Sequence, residues 1–279
     1  MMLRVIILFS ICIAMGASST SYAQAVDSIK QNATSKTANQ LARQIVDQLM
    51  NIENEKAAQT LLALEHSFPN YSLLGFMKIT PLWAKAESTY DEETRLRYLH
   101  AVIEQLTQNI QSAQSEIRKH PDSADWQLNL GLSQAFAGLA YIRLGEWLKA
   151  YRAGRAGRDT LRVLVQTHPK IEDAYFVLGF YEYYTGNVPF YLAWLTWLVD
   201  MSGDRALGLQ YIQRAITHAP IFSPEASRLL LVQTETNPQN ACEKKKHAHN
   251  MAEQYPNNVQ LPWLEKQFNH ICSSHVMNQ

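Results

Sequence analysis

One stretch, residues 172–220, constrains the fold more than any other part of the chain. Two sets of residues at helical spacing lie in its two halves: Tyr175, Leu178 and Gly179, then Gly208, Ile212, Ala215 and Pro220. This spacing predicts two helices joined as a hairpin. Between them, Gly186 and Gly203 bound sixteen mostly apolar and aromatic residues. We therefore predict an insertion that projects from the tip of the hairpin.

The proline and glycine register of this stretch recurs one unit earlier in the chain. Ten residues separate Pro121 from Gly131, and ten also separate Pro169 from Gly179. From Gly131 to Gly179 is 48 residues. A standard helical-hairpin repeat has about 34 residues, so the excess is enough for two extra turns on each helix. We therefore predict that the earlier unit keeps the hairpin and lengthens both helices.

A long helix is predicted before this unit. Asp91-Glu92-Glu93 favours a helix start, and the apolar residues after it alternate at three- and four-residue spacing: Leu96, Leu99, Ile103, Leu106, Ile110, Ala113 and Ile117. This pattern predicts a helix of about 28 residues whose apolar seam packs within the chain, with a coiled-coil partner as the alternative. Upstream, Thr80-Pro81 predicts that a helix starts or kinks there.

Helical periodicity extends to both ends of the folded region. Residues 38–69 form one predicted hairpin, residues 224–254 a weaker one, and residues 261–271 a final helix. The sequence has no strand-like alternation long enough for a sheet. We predict an all-α fold over residues 38–272, a right-handed α-solenoid of about five helical hairpins with lengthened units and the apolar insertion. A C-terminal helix closes it, and residues 273–279 form a tail.

The first residues are typical of an export signal. Arg4 precedes the apolar run Val5–Met15, and a stretch of small residues ends at Ala23. This predicts a signal peptide at residues 1–23, whose apolar run is too short to span a bilayer comfortably, and a mobile leader at residues 24–37. We expect a soluble exported protein, periplasmic if the source is bacterial and otherwise secreted. Without the signal the net charge is near −1, which makes nucleic acid a poor partner.

Two cysteines remain after removal of the signal, Cys242 and Cys272. An even pair in an oxidising compartment predicts a disulfide. If residues 241–254 and 259–272 are antiparallel helices, each cysteine lies about fifteen residues from the turn and the two thiols reach the same height. Two unpaired buried thiols remain the alternative, because the sequence does not show that the side chains face each other.

The chain resembles a divergent tetratricopeptide-repeat protein. Tyr175, Leu178 and Gly179 stand in the W-x2-L-G spacing of that repeat, and a second set matches its A, F, A and P positions: Gly208, Ile212, Ala215 and Pro220. The resemblance covers residues 122–256 and, more faintly, 38–121. YEYYTGNVP and GDRALGL also resemble exported bacterial repeat proteins of unassigned role. The resemblance implies a TPR-like scaffold that binds proteins or peptides, although some units have about 50 residues and the fourth lacks its glycine.

The insertion is the first candidate binding element. Residues 188–199 carry no charge, and a helix would place Phe190, Trp194 and Trp197 on one face. Three interpretations stay open: residues 187–202 fold back on the core, dock another protein, or contact a membrane surface. The candidate binding residues are Phe190, Tyr191, Trp194, Trp197, Tyr181, Tyr184 and Arg205. We also expect Asp204 to cap the following helix and Arg205 to pair with an acid.

Two charged runs invite functional hypotheses. Basic residues recur at Lys149, Arg152, Arg155, Arg158 and Arg162. Three-residue steps spread them over half a helix, so we expect a solvated flank, with an acidic or phosphate-bearing partner as the alternative. His247 and His249 diverge by about 200° on a helix, so we expect no metal site. The sequence has no H-E-x-x-H, G-x-S-x-G or phosphate-loop motif, and we expect neither an enzyme nor a cofactor.

The expected function is that of an exported, non-catalytic repeat scaffold that mediates protein–protein or peptide binding in the cell envelope. The alternative is a lipid- or small-hydrophobe-binding module in which residues 187–202 cover an apolar pocket, and peripheral membrane contact is a further option. A closed apolar cavity would favour the lipid- or small-hydrophobe-binding module, whereas an open groove with a polar rim would favour the scaffold. A buried cluster of perturbed carboxylates and histidines would instead point to an enzyme.

Overall fold

The computed structural model describes residues 37–186 and 203–276, and within these ranges the chain forms eleven helices and no strand. The helices are α1 (37–50), α2 (Asn54–Ser67), α3 (Leu74–Ser88), α4 (Glu92–Lys119), α5 (Ala124–Arg143), α6 (Trp147–Thr167), α7 (Asp173–Thr185), α8 (Arg205–His218), α9 (Ser223–Gln233), α10 (Ala241–Gln254) and α11 (Gln260–Val276). The chain divides into two compact units, residues 1–40 and 41–279. Of the first unit only residues 37–40 are described, as the first turn of α1.

Helices that follow one another in the chain pack in contact, from α2 on α3 through to α8 on α9, and again α10 on α11. The predicted lengthening of one unit is confirmed. α5 and α6 have 20 and 21 residues, whereas α7 and α8 have 13 and 14. Each helix of the earlier unit is therefore longer by seven residues, which is about two turns.

The long helix predicted after Asp91 is also confirmed, as α4 with 28 residues. The Asp91 carboxylate accepts a hydrogen bond from the backbone N–H of Thr94 at 2.8 Å, which caps the helix. The buried stripe of α4 differs in part from the predicted seam. It consists of Leu99, Val102, Leu106, Asn109 and Ala113, because α4 packs between α3 and α5, and Ile103 and Ile110 lie at its edge.

α3 does not start at Pro81. It begins at Leu74 and continues through Pro81 to Ser88. A proline inside a helix leaves the carbonyl four residues earlier without its usual amide donor. Here that carbonyl belongs to Met77, and the Thr80 hydroxyl donates a hydrogen bond to it at 2.8 Å. The side chain before the proline thus compensates for the missing amide.

Phenylalanines from several helices form the centre of the core. The Phe76 ring of α3 lies edge-on to Phe136 of α5 at 4.9 Å and to Phe222 at 5.8 Å, between ring centroids. Phe176 of α7 stacks on Phe222 at 5.7 Å. Because Phe222 stands in the turn between α8 and α9, this cluster joins elements that are distant in sequence.

A buried polar network fixes α4 and α5 relative to the turn before α3. Asn109 Nδ2 donates to Asn129 Oδ1 at 2.7 Å and to Ser133 Oγ at 2.8 Å. Asn129 Nδ2 donates in turn to the backbone carbonyl of Ser72 at 2.5 Å. The four residues are buried, and an unmet polar group there would be costly. The network therefore favours a single register of these helices.

The end of α1 contacts the turn between α10 and α11. The Tyr255 hydroxyl donates to Asp47 Oδ1 at 2.7 Å, and Asn258 Nδ2 donates to the Met50 carbonyl at 2.8 Å. Met50 also belongs to an apolar cluster with Leu231 and residues of α10 and α11. Contacts between helices that follow one another in the chain would not by themselves bring the end of α1 to the turn between α10 and α11. The contact therefore depends on how the whole set of helices packs.

Cys242 and Cys272 form a disulfide, as predicted, and their Cα atoms are 4.9 Å apart. The bond joins the start of α10 to the end of α11, so the two helices are antiparallel with the thiols at one height. The alternative of two unpaired thiols does not apply. Separately, none of the described helices combines the length and apolar character that crossing a membrane would require.

Candidate functional site

The helices on either side of the insertion approach each other at two glycines. A Cβ added to Gly179 of α7 would lie 2.7 Å from the backbone nitrogen of Ile212, and one added to Gly208 of α8 would lie 2.7 Å from Tyr183 Cα. Real Cβ atoms do not approach other atoms so closely, and the neighbouring atoms here belong to rigid helix backbones. Both glycines are therefore required for this packing of α7 on α8.

The two ends of the insertion meet at the tips of these helices. A Cβ added to Gly203 would lie 2.7 Å from the Glu182 carbonyl oxygen and 2.8 Å from the Gly186 nitrogen. The chain thus leaves α7 and enters α8 at one place. Residues 187–202, with the predicted binding residues Phe190, Tyr191, Trp194 and Trp197, lie outside the described residues.

Glu182 holds this base together from within α7. Its side chain is buried, and Oε1 accepts a hydrogen bond from Arg162 at 2.5 Å while Oε2 accepts one from the backbone N–H of Asp204 at 3.1 Å. Asp204 Oδ1 in turn accepts from the backbone N–H groups of Ala206 at 2.8 Å and Leu207 at 3.1 Å. The predicted cap of the following helix is therefore confirmed.

Two of the predicted binding residues, Tyr181 and Tyr184, lie on α7 beside this base. The Tyr181 hydroxyl accepts a hydrogen bond from Arg158 at 2.9 Å. The Tyr184 hydroxyl donates to the Gln233 side chain, and 39% of Tyr184 is exposed. The expectation of a solvated basic flank was wrong at Arg158, which is only 3% exposed. Its burial is compensated by Tyr181 and by an ion pair with Asp159 at 2.8 Å.

Arg205, the third predicted residue, lines an open pocket of about 420 Å³ formed with α8, α9 and α10. It pairs with Glu235 at 2.6 Å, as expected, and lies over the Tyr183 ring at 5.4 Å from the ring centroid. The other lining residues are Tyr183, Leu209, Gln210, Gln213, Leu230, Thr234, Asn240, Glu243, Lys244 and His247. Most of these side chains are polar, and both signs of charge are present.

Sequence reasoning missed Lys244, which is only 4% exposed. Its ammonium donates to the Thr234 carbonyl at 2.7 Å and to Thr236 Oγ1 at 3.0 Å, so it neutralises the negative end of α9. Burial lowers the pKa of Lys244 to about 8. A signal existed, because the buried residues of α10, Ala241, Lys244, Ala248 and Met251, recur at three- and four-residue spacing.

His247 lies one turn beyond Lys244 on the same helix. Its Nε2 atom is buried and has no hydrogen-bond partner among the described residues, and burial lowers its pKa. Within the described ranges, no group of three or more His, Cys, Asp or Glu side chains could hold a metal ion.

A buried carboxylate lies at the opposite end of α7. Asp173 is 3% exposed, and its Oδ1 accepts hydrogen bonds from the backbone N–H groups of Ile221 at 3.1 Å and Phe222 at 2.9 Å. Burial raises the pKa of Asp173 to about 6, despite these two hydrogen bonds. The carboxylate ties the start of α7 to the turn between α8 and α9.

Neither the protein-family models nor the curated proteins with which the chain was compared give a match.

Proposed function

We propose that the chain is an exported, non-catalytic helical scaffold, a right-handed TPR-like α-solenoid, that binds a protein or an extended peptide of the cell envelope. The observation that carries the proposal is the open pocket lined mostly by polar side chains, immediately beside the base of the insertion. Polar side chains and a larger share of apolar surface line this partly open site, and this mixture suits an extended peptide that carries both kinds of side chain.

The lining residues support a peptide partner. Gln210 and Gln213 are exposed on α8 and line the pocket. Each of these amide side chains carries both donors and an acceptor, which is what a peptide backbone requires. Arg205 and Glu235 add charges of both signs, and Leu209 and Leu230 add apolar contacts. The pocket therefore combines amide groups, charged groups and apolar side chains, as surfaces that bind extended peptides do.

The perturbed titratable groups support a scaffold over an enzyme. Among the described residues, one carboxyl and one ammonium group have strongly shifted pKa values, Asp173 and Lys244. Asp173 accepts hydrogen bonds from the backbone N–H groups of Ile221 and Phe222 at the start of α9, and Lys244 donates one to the Thr234 carbonyl at its end. Each group thus holds two segments of the fold together. Asp173 lies at the end of α7 far from the pocket, and the Lys244 ammonium, which lines the pocket, is already engaged by Thr234 and Thr236.

Site-specific photo-crosslinking in cells would test the proposal. A photoreactive residue is placed at position 210 in the pocket or at position 194 in the insertion, and at exposed Leu62 of α2 as the control. We expect a discrete protein adduct from 210 and 194 that is absent from 62. Gln210→Ala with Gln213→Ala should weaken the adduct from 194.

Other outcomes would contradict the scaffold. Lipid or small-hydrophobe adducts alone would favour the alternative in which residues 187–202 cover an apolar pocket. Adducts only within the chain would mean that the insertion belongs to the core.

A further inference from the structure

One peptide group connects two helices in the pocket beside the base of the insertion. Its carbonyl belongs to Thr234 and accepts a hydrogen bond from the Lys244 ammonium at 2.7 Å. Its N–H belongs to Glu235 and donates to the Tyr183 hydroxyl oxygen at 2.7 Å. All four residues line the pocket. Lys244 of α10 and Tyr183 of α7 are therefore joined through the backbone that follows α9.

The Tyr183 hydroxyl stands at the end of this chain of hydrogen bonds. Its oxygen accepts from the Glu235 N–H and from the Arg205 guanidinium, while its hydrogen has no acceptor within residues 37–186 or 203–276. Hydrogen bonds polarise one another along a chain, so a hydroxyl that accepts them is a stronger donor. Tyr183 is only 2% exposed, and a buried donor without an acceptor costs free energy. The hydroxyl thus offers a fixed donor to a ligand in the pocket.

His247 adds a second group of this kind from α10. It lines the same pocket and follows Lys244 by three residues, on the same face of the helix. Its Nε2 atom is buried without a hydrogen-bond partner in the part of the chain that the structure describes. Burial lowers its pKa, so the ring is uncharged at neutral pH, and one nitrogen of an uncharged imidazole is an acceptor. Nε2 can therefore accept a hydrogen bond from a ligand.

The charges that line the pocket balance one another. Two lining residues are basic, Arg205 and Lys244, and two are acidic, Glu235 and Glu243. Arg205 pairs with Glu235 at 2.6 Å, and Lys244 is engaged by two oxygen atoms after α9. A ligand carboxylate would compete with these contacts for either cation. The site therefore suits an uncharged group that contains both an acceptor and a donor.

We propose that the pocket recognises amide groups of its peptide partner. A carbonyl oxygen of the partner accepts a hydrogen bond from the Tyr183 hydroxyl, and an amide N–H donates one to His247 Nε2. Amides supply both groups without charge, and they come from the peptide backbone or from Asn and Gln side chains. This inference rests on the proposed function and specifies the chemistry of the ligand.

Small amides test this chemistry without the partner itself. N-methylacetamide represents a backbone amide, and propionamide represents an Asn or Gln side chain. Nuclear magnetic resonance of the full mature protein, labelled with nitrogen-15, would follow the His247 ring nitrogens during each titration. We expect saturable binding that shifts the Nε2 resonance as a hydrogen-bonded acceptor. Propionate and methyl propionate, which lack the N–H group, should bind at least about fivefold more weakly. The amide that binds more tightly identifies the source as backbone or side chain.

Two variants test the two contacts separately. Tyr183→Phe should weaken binding of the amide by about five- to tenfold, the usual effect of one hydrogen bond. Because it also removes the acceptor of the Glu235 N–H, His247→Leu provides a second test that leaves this bond intact, with a loss of similar size. Tyr211→Phe, on α8 but not among the lining residues, and His249→Leu, at an exposed position of α10, should bind as the wild type. Thermal unfolding would show that each variant is folded.

Several results would overturn the proposal. Propionate that binds as tightly as propionamide would assign the pocket to an anion, and methyl propionate that does so would remove His247 from the site. Absence of a shift at His247 with both amides, or unchanged binding in both folded variants, would place no amide in the pocket.

The scaffold itself is judged by the adduct from position 210. A wild-type yield of that adduct in folded His247→Leu would uphold the scaffold and refute the amide contact. Specific binding of an amide without any protein adduct from the wild type would uphold the chemistry of the pocket and refute the proposed partner.

Discussion

The buried carboxylate of Glu182 accepts a hydrogen bond from the backbone N–H of Asp204 at 3.1 Å and thereby ties the end of α7 to the start of α8. The same carboxylate binds Arg162 of α6 at 2.5 Å. Three helices therefore meet at one side chain, at the point where the chain leaves and re-enters the fold around residues 187–202. The base of the insertion is held in place independently of the insertion itself.

Replacement of Glu182 should loosen this base. We expect Glu182→Ala to lower the free energy of unfolding by about 1–3 kcal/mol, because the Asp204 amide loses its acceptor and Arg162 its partner. Urea unfolding would measure the loss, and hydrogen exchange at the Asp204 amide would locate it. Glu253→Ala, at an exposed site on α10, is the control. Unchanged protection of the Asp204 amide in Glu182→Ala would contradict the assigned role.

The glycine contact between α7 and α8 leads to a second prediction. Gly208→Ala should destabilise the fold by about 1–3 kcal/mol, since the added methyl group would overlap the backbone of Tyr183 and force the helices apart. Gly154→Ala on α6 is a matched control of opposite sign, because nothing lies within 4 Å of its Cβ. It should stabilise the protein by about 0.5–1 kcal/mol. Thermal unfolding would compare the stabilities of the two variants. A Gly208→Ala protein as stable as the wild type would show that α7 and α8 can move apart without cost.

Removal of the disulfide should destabilise the fold, because the unfolded chain without the bond has a higher conformational entropy. The bond closes a loop with a sequence separation of 30 residues, for which loop entropy alone predicts a loss of about 3–4 kcal/mol. We expect this loss in Cys242→Ser with Cys272→Ser, measured by urea unfolding. Adding a reductant should bring the wild type to the same value and leave the double variant unchanged. Two free thiols titrated in the unfolded, unreduced wild type would rule out the bond.

The buried Asp173 should make stability depend on pH. Burial raises its pKa from 3.8 to about 6, so the folded state holds the proton more tightly than the unfolded chain does. Stability from this group is therefore present at pH values below 3.8 and is lost as the pH rises through 6.

Comparison with Asp173→Asn isolates that effect. Between neutral pH and about pH 4, the wild type should gain up to about 3 kcal/mol relative to the variant. Urea unfolding of both proteins over this range would measure the difference, in which the contributions of other carboxyls cancel. A difference that stays constant with pH would show that Asp173 titrates normally.

Tyr255 provides a test of the contact between the first and last helices. Its hydroxyl donates to Asp47, and the side chain is buried. Tyr255→Phe removes only that hydroxyl and should cost about 1–1.5 kcal/mol of unfolding free energy. Tyr90→Phe, at a fully exposed position, should have no effect in the same thermal scan. Equal stability of the two variants would show that the hydrogen bond from Tyr255 to Asp47 does not stabilise the contact between α1 and the α10–α11 turn.

Local spacing predicted much of this structure. The length of α4 and its cap at Asp91, the extra turns of α5 and α6, and the pairing of α7 with α8 all follow from residues within one helix or one hairpin. The pairing of Cys242 with Cys272 follows in the same way. Each of these features depends on helical periodicity or on the distance of a residue from a turn, and both can be counted along the sequence.

Other features depended on groups that local spacing does not show. α3 continues through Pro81 because the Thr80 hydroxyl reaches the Met77 carbonyl. Arg158, expected in water, is buried because Tyr181 of the next helix accepts its hydrogen bond. For the candidate site, the sequence selected Arg205 but not the pocket beside it, because most of the other lining residues come from residues 230–247, the end of α9, the turn after it and the start of α10.

The sequence by itself determined that the chain forms helices and set the lengths of α4, α5 and α6, because helical propensity and periodicity act over a few neighbouring residues. Only the tertiary structure decided that Tyr255 meets Asp47, 208 residues away, and that the Asp173 carboxylate meets the backbone N–H of Phe222, 49 residues away. Such contacts form between surfaces that meet only after the helices have packed. Their free energy comes from burial and hydrogen bonding between distant segments, which leave no period in the sequence.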